Sequence, residues 1–180
     1  MPTSPHTLVC LSQLIEQPMP KNEDQYRQED ERVRKNLPSG VKLVRTLRGH
    51  ADTVGRIRWS PDGRILASPS ADKTIRLWDI TTGECLQTLD GHKSGVWNCV
   101  FDPTGETLIS SRSDKMVKVW HVERGQLLHT LKAHEQQICA LAIDSTGRVI
   151  ASGSDDQTIK LWNAASSPCE GGGKRCSLTY

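Results

Sequence analysis

The amino-acid sequence predicts an all-β fold in which one small antiparallel sheet is repeated three times, and three observations carry that expectation. His50, His92 and His134 stand 42 residues apart, and so do Trp78, Trp120 and Trp162. Asp72, Asp114 and Asp156 keep the same spacing without drift. A fixed period of this size marks a repeat architecture in which each copy is one supersecondary unit. Within each period, short apolar runs alternate with turn signals, as strands and hairpins require.

Composition sets the frame. The chain has 180 residues, 36% hydrophobic, with a formal net charge of +2. That charge is too small to argue for a nucleic acid or an anionic membrane as partner. No apolar run approaches the roughly 18 residues that span a bilayer, and residues 1–6 lack the basic flank of a secretory signal. A soluble, cytoplasmic location is the expectation, with no membrane partner. The cysteines Cys10, Cys85, Cys99, Cys139, Cys169 and Cys176 form no Cys-x-x-Cys pair, and no paired histidines complete a zinc set. No metal and no cofactor are therefore expected. Cys85, Cys99 and Cys139 fall in predicted strands, where reduced Cys packs as a small hydrophobe.

The chain divides into three stretches. Residues 1–40 form a polar N-terminal arm, helical in part or disordered. Between Lys21 and Asn36 its charges balance, and pairs such as Glu23/Arg27 and Glu31/Lys35 support an exposed helix by a few tenths of a kcal/mol each. Leu37-Pro38-Ser39-Gly40 ends it. Residues 41–164 carry the repeats, over 44–80, 86–122 and 128–163. Residues 165–180 read as a disordered tail.

In the first repeat, residues 54–60 form a strand that runs into Pro61-Asp62-Gly63, a turn in which Pro sets φ and Gly supplies the permissive position. Residues 65–68, 74–80 and 85–89 follow as strands, separated by turns at Ala71-Asp72-Lys73 and Thr81-Thr82-Gly83. Residues 96–122 and 138–163 repeat the order, with Gly105 and Gly147 at the first turn. Four strands per period make an antiparallel meander, and one such sheet cannot bury both faces alone, so neighbours must stack.

The first copy reads Gly49-His50, Ser68, Asp72 and Trp78-Asp79. The second reads Gly91-His92, Ser110, Asp114 and Trp120, with His121 after it, and the third Ala133-His134, Ser152, Asp156 and Trp162, with Asn163 after it. From Val44 to Asn163 these residues resemble the WD-repeat (WD-40 repeat) family of β-propellers. The resemblance implies three four-stranded antiparallel blades of a partial propeller. It also implies a structural role for His50, Ser68, Asp72, Trp78, His92, Ser110, Asp114, Trp120, His134, Ser152, Asp156 and Trp162, as chains of hydrogen bonds running from Trp through Ser and His to Asp. Two departures stand out: Pro69 follows Ser68 and removes a backbone donor, and Arg112 replaces the serine found at Ser70 and Ser154.

Ser, His and Asp together also describe a hydrolase triad. Three identical trios, with no Gly-x-Ser-x-Gly elbow and no evident oxyanion hole, argue against catalysis, and no catalytic residue is expected.

Propellers close with 4–8 blades, and three copies are too few. Residues 43–47 match 85–89 and 127–131 as an outer strand, whereas the stretch after Trp162 has no strand character. Three readings follow: a truncated propeller, two chains completing one ring by self-association, or an open arc. The resemblance implies a non-enzymatic protein–protein interaction scaffold with other proteins as partners. Alternatives are the sensor or regulatory portion of a larger signalling enzyme, ATPase- or protease-linked, and a nucleic-acid reader, which the absence of a sustained basic stripe disfavours. Positions that vary between copies are free for recognition. Among them Trp97, where the other copies have Gly55 and Cys139, is the candidate partner anchor. Lys93, Arg112 and Lys115 beside it suggest an acidic partner.

Overall fold

A computed structural model describes residues 22–164, in two compact units, Met1–Thr46 and Leu47–Tyr180. The first holds helix α1, Glu23–Lys35. Asn22 caps it: its side chain accepts from the Gln25 N–H at 2.9 Å, and the Gln25 side chain accepts from the Asn22 N–H at 3.0 Å. This capping box satisfies two of the donors that a helix start leaves open. Glu23 and Asp24 in the first turn and Arg32, Arg34 and Lys35 in the last complement the helix dipole. No residue of α1 is buried, so charge and capping hold it, and Thr46 Oγ1 donates to Asp30 at 2.9 Å.

The second unit is three antiparallel meanders in series. The first sheet is β1 (Arg58–Trp59), β2 (Ile65–Pro69), β3 (Thr74–Asp79) and β4 (Cys85–Asp90). The second is β5 (Val96–Phe101), β6 (Thr107–Arg112), β7 (Met116–His121) and β8 (Gln126–Lys132). The third is β9 (Ile138–Ile143), β10 (Val149–Ser154) and β11 (Ile159–Asn163). Register is the same in each: Trp78 faces Leu66, Trp120 faces Leu108, and Trp162 faces Ile150. The turns between first and second strands place Gly63, Gly105 and Gly147 at φ between 72° and 78°, where a Cβ would be strained.

Two apolar seams join the sheets. Ile65, Ala67, Ile75, Leu77 and Leu89 of the first sheet meet Cys99, Phe101, Leu108, Trp120 and Val122 of the second. Ile109, Val117 and Ala133 of the second meet Ile138, Leu141, Ile150 and Trp162 of the third. Each fully buried aliphatic side chain contributes about 1.5–3 kcal/mol, so the seams are where these sheets gain their stability. At the first seam the backbones also touch. Val96 N–H donates to Ser70 O at 2.7 Å, and Arg56 N–H to Trp97 O at 3.1 Å. A Cβ on Gly95 would lie 2.5 Å from Ala71 Cα, so only glycine permits that approach.

The structure departs from the sequence expectations in three places and leaves a fourth outside the described residues. Residues 43–47 form no strand: an outer strand pairs with the third strand of its own sheet, as β4 does with β3, and no such strand precedes residue 43 among the described residues. The first strand shrinks to β1, with one isolated bridge between Val54 and Ser70: Gly55 N–H still reaches Pro69 O of β2, but Arg56 N–H leaves the sheet for Trp97 O. The third sheet has three strands; whether another follows Trp162 lies outside the described residues, as do residues 1–21 and the tail from 165. Finally, Cys99 is buried but Cys85 and Cys139 are exposed. Pro69 sits buried at the end of β2, paired with Ile75, where its missing N–H breaks no interior rung.

Candidate functional site

The twelve repeated polar residues converge within their own sheets, one set per sheet. In the first, Trp78 Nε1–H donates to Ser68 Oγ at 2.8 Å. Ser68 Oγ lies 2.6 Å from His50 Nε2, and His50 Nδ1 lies 2.8 Å from Asp72 Oδ2. A carboxylate only accepts, so Nδ1 carries the ring proton and Nε2 accepts from the serine hydroxyl. The third sheet repeats this with 2.8 Å at each step: Trp162 to Ser152, Ser152 to His134, and His134 to Asp156. In the second, Trp120 donates to Ser110 at 2.8 Å and Ser110 lies 2.8 Å from His92. There the last step is longer, with His92 Nδ1 and Asp114 Oδ2 3.5 Å apart.

Two hydroxyls outside the repeated quartets brace each short chain. Thr74 Oγ1 donates to Asp72 Oδ1 and Thr158 Oγ1 to Asp156 Oδ1, at 2.7 and 2.6 Å. Ser70 Oγ accepts from Asp72 N–H and Ser154 Oγ from Asp156 N–H, both at 3.1 Å. The second copy has Arg112 in place of the serine and Met116 in place of the threonine, neither of which offers a hydroxyl. A signal for these braces was present in the sequence, since each stands two residues from the aspartate.

The electrostatics follow. Burial works to raise the Asp72 carboxyl, but hydrogen bonds from the Thr74 hydroxyl, the Ala51 N–H and His50 outweigh it and hold it well below the usual carboxylate range. The Thr158 hydroxyl, His134 and the Glu135 N–H do the same for Asp156 against a smaller burial effect. All of this chemistry is internal. Ser68, Ser110 and Ser152 are buried, each with its oxygen already engaged by a Trp N–H, so no face of the hydroxyl is open to a substrate. Among the described residues no three His, Cys, Asp or Glu side chains are grouped to hold a metal ion. No described helix is long and apolar enough to cross a membrane, which says nothing of β-barrels.

The four variable residues fall at one end of the second sheet: Lys93 before β5, Trp97 at its start, Arg112 at the end of β6 and Lys115 in the turn that follows. β5 carries a bulge: Val96 pairs with Arg112 and Asn98 with Ser111, so Trp97 is the extra residue, and a bulge re-aims the side chain it carries. Trp97 is 40% exposed, while its carbonyl is held by Arg56 N–H. Lys93 follows His92, and Lys115 follows Asp114 at φ 69°, a left-handed conformation uncommon outside glycine; both are exposed. The approach of His92 to Asp114 brings their two loops together, and the Val96–Arg112 pair adds the ends of β5 and β6. Lys118, buried in β7, is pulled down by burial and also feels Lys93.

A cleft of about 460 Å³ opens between the first two sheets, lined by residues such as Leu77, Leu86, Gln87 and Val122.

Comparison with known proteins matches this architecture. The repeat model of the family described as WD domain, G-beta repeat matches residues 41–79, 83–121 and 125–163. The chain is 46% identical over 54 residues to nuclear distribution protein PAC1 of Coccidioides posadasii, covering 26% of this chain and 12% of that protein. It is 53% identical over 45 residues to PAC1 of Candida tropicalis, covering 24% and 9%. It is 44% identical over 48 residues to protein Mut11 of Chlamydomonas reinhardtii, covering 27% and 13%. The matched segments thus span roughly a tenth of the length of these curated relatives. Three repeat matches in one register, together covering more than half of the chain, establish that it belongs to the WD domain, G-beta repeat family.

Proposed function

We propose that this chain is a non-enzymatic scaffold for protein–protein interaction, whose recognition edge is the bulged start of β5 with its flanking loops. One observation carries the reading: Trp97 keeps a large aromatic ring partly exposed on a backbone clamped by Arg56, where the neighbouring sheets have Gly55 and Cys139. A rigid aromatic loses little conformational freedom on binding and is a favoured interface anchor. The exposed Lys93 and Lys115 at the same end of the sheet favour an acidic segment on the partner, adding steering and salt sensitivity more than affinity. The buried Ser–His–Asp sets support the non-enzymatic part, because their hydrogen bonds are spent inside the sheets. The nuclear distribution proteins share with this chain a stretch of 45–54 residues, close to one repeat period, which supports a shared repeat and leaves the task of each protein its own.

The test is quantitative affinity capture with the wild-type chain, Trp97→Ala and a Lys93→Ala/Lys115→Ala variant, all checked for unchanged thermal midpoints. Trp97→Ala is expected to lose a defined set of partners, and the lysine variant to weaken the same set most at low salt. Retention of every partner by Trp97→Ala would falsify the assignment of this edge.

A further inference from the structure

The cleft of about 460 Å³ between the first two sheets lies at the end of β5 opposite to Trp97, since the turn that follows β5 lines it. Its floor is apolar. Ile65 and Leu77 come from the first sheet and Val122 from the second, and Leu86 of the edge strand β4 lines it while 46% exposed.

The rim is acidic. Glu106, between β5 and β6, and Glu123, between β7 and β8, line the cleft and are exposed. No lysine or arginine is among the lining residues. His121, the third titratable group there, accepts at Nδ1 from the Arg124 N–H at 3.3 Å. The whole chain carries +2, so this negative rim runs against the overall charge.

The two walls are tied together. Gln87 Nε2 of the first sheet donates to Glu123 O of the second at 3.1 Å. A Cβ on Gly125 would lie 2.8 Å from Gln87 Oε1, so glycine there leaves room for the amide. The repeat itself does not require this chemistry. One period on, Ile65 becomes Thr107 and Glu106 becomes Arg148, so this floor and this sign are particular to the first seam.

An apolar floor under a rim of one sign selects a segment that carries the opposite sign around an aliphatic side chain. The floor supplies affinity through buried area, and the rim supplies orientation and rate. We propose that this cleft docks a basic segment of a partner protein, with an aliphatic side chain over Leu77, Leu86 and Val122 and a lysine or arginine against Glu106 and Glu123. It is a second docking site, of opposite charge preference to the Trp97 edge, and either can fail alone.

Selection of random linear peptides from a displayed library on the whole wild-type chain tests it, after depletion on the Leu86→Lys chain, which keeps the Trp97 edge. The surviving peptides are expected to share an aliphatic residue flanked by Lys or Arg. Fluorescence polarisation then uses a labelled synthetic copy of the most enriched peptide. Leu86→Lys is expected to bind it about tenfold more weakly, Trp97→Ala as well as the wild type, and Glu106→Lys/Glu123→Lys not at all. A copy with each Lys and Arg replaced by Glu is expected to bind that charge-reversed chain and not the wild type. The proposal is overturned if no peptide survives, if the survivors lack basic residues, or if Leu86→Lys or the charge reversal leaves binding intact. Binding lost in Trp97→Ala, or an acidic copy that the charge-reversed chain ignores, overturns it equally. Far-UV circular dichroism checks each variant, and Leu86→Gln replaces Leu86→Lys if that chain loses its sheets.

Discussion

His92 Nδ1 and Asp114 Oδ2 stand 3.5 Å apart, whereas the equivalent pairs His50–Asp72 and His134–Asp156 close to 2.8 Å. The difference coincides with two substitutions beside the aspartate. Ser70 and Thr74 brace Asp72, and Ser154 and Thr158 brace Asp156; Arg112 and Met116 stand at those positions in the second sheet.

Restoring the braces should therefore tighten the second sheet. Arg112→Ser with Met116→Thr is expected to raise the thermal midpoint, each new hydrogen bond contributing about 1 kcal/mol. An unchanged or lower midpoint in the double variant would show that the longer contact has another cause.

Histidine truncation should cost different amounts in different sheets. His134→Ala strands the Ser152 hydroxyl and removes a close partner of Asp156, a loss of about 1–3 kcal/mol by the usual cost of buried unpaired groups. His92→Ala is expected to cost less, since its aspartate contact is already long. Urea midpoints at unchanged slope measure both, and neither variant should lose a chemical activity.

Acid should loosen the first and third sheets. The Asp72 and Asp156 carboxyls are held below their ordinary value in the folded chain. A depressed carboxylate contributes stability that is complete above the unfolded pKa of about 3.9 and is lost as pH falls from there through the lower folded value. Thermal midpoints should fall steeply below about pH 4, and Asp72→Asn/Asp156→Asn should flatten that slope. An identical slope in the double variant would assign acid sensitivity to other groups.

The cysteines of the repeats should separate by reactivity. Burial pushes the Cys99 thiol up to about 12, and a protonated thiol is a poor nucleophile. The Cys139 thiol is also raised, first by its hydrogen bond to Asp155, while Cys85 is exposed. Iodoacetamide followed by peptide mass spectrometry should find Cys85 modified first, Cys139 later, and Cys99 only on unfolding. Early modification of Cys99 would mean that the first seam opens readily.

Much of this was legible in the sequence because a repeat is its own internal control. The turn glycines, the meander order and the polar quartets recur at one spacing, and the structure places β2, β3 and β4 close to where the runs and turns around residues 65–89 put them. What the period missed were contacts that vary at fixed positions. Arg112 read as part of a basic cluster, and that reading missed the hydroxyl its place leaves absent two residues before Asp114. Residues 54–60 read as a full strand, but Arg56 N–H bonds to Trp97 O across a seam, a pairing between distant parts of the chain that no local pattern encodes.

The sequence by itself determined the unit: strand order, turn positions and the partners within each quartet, because these depend on local spacing and on side chains that must satisfy one another inside one sheet. Only the tertiary structure decided which apolar positions are covered. Leu77 and Leu161 are the same residue at the same place in the period, and one is buried while the other is exposed, because burial depends on whether a further sheet stacks on that face and not on the residue that lines it.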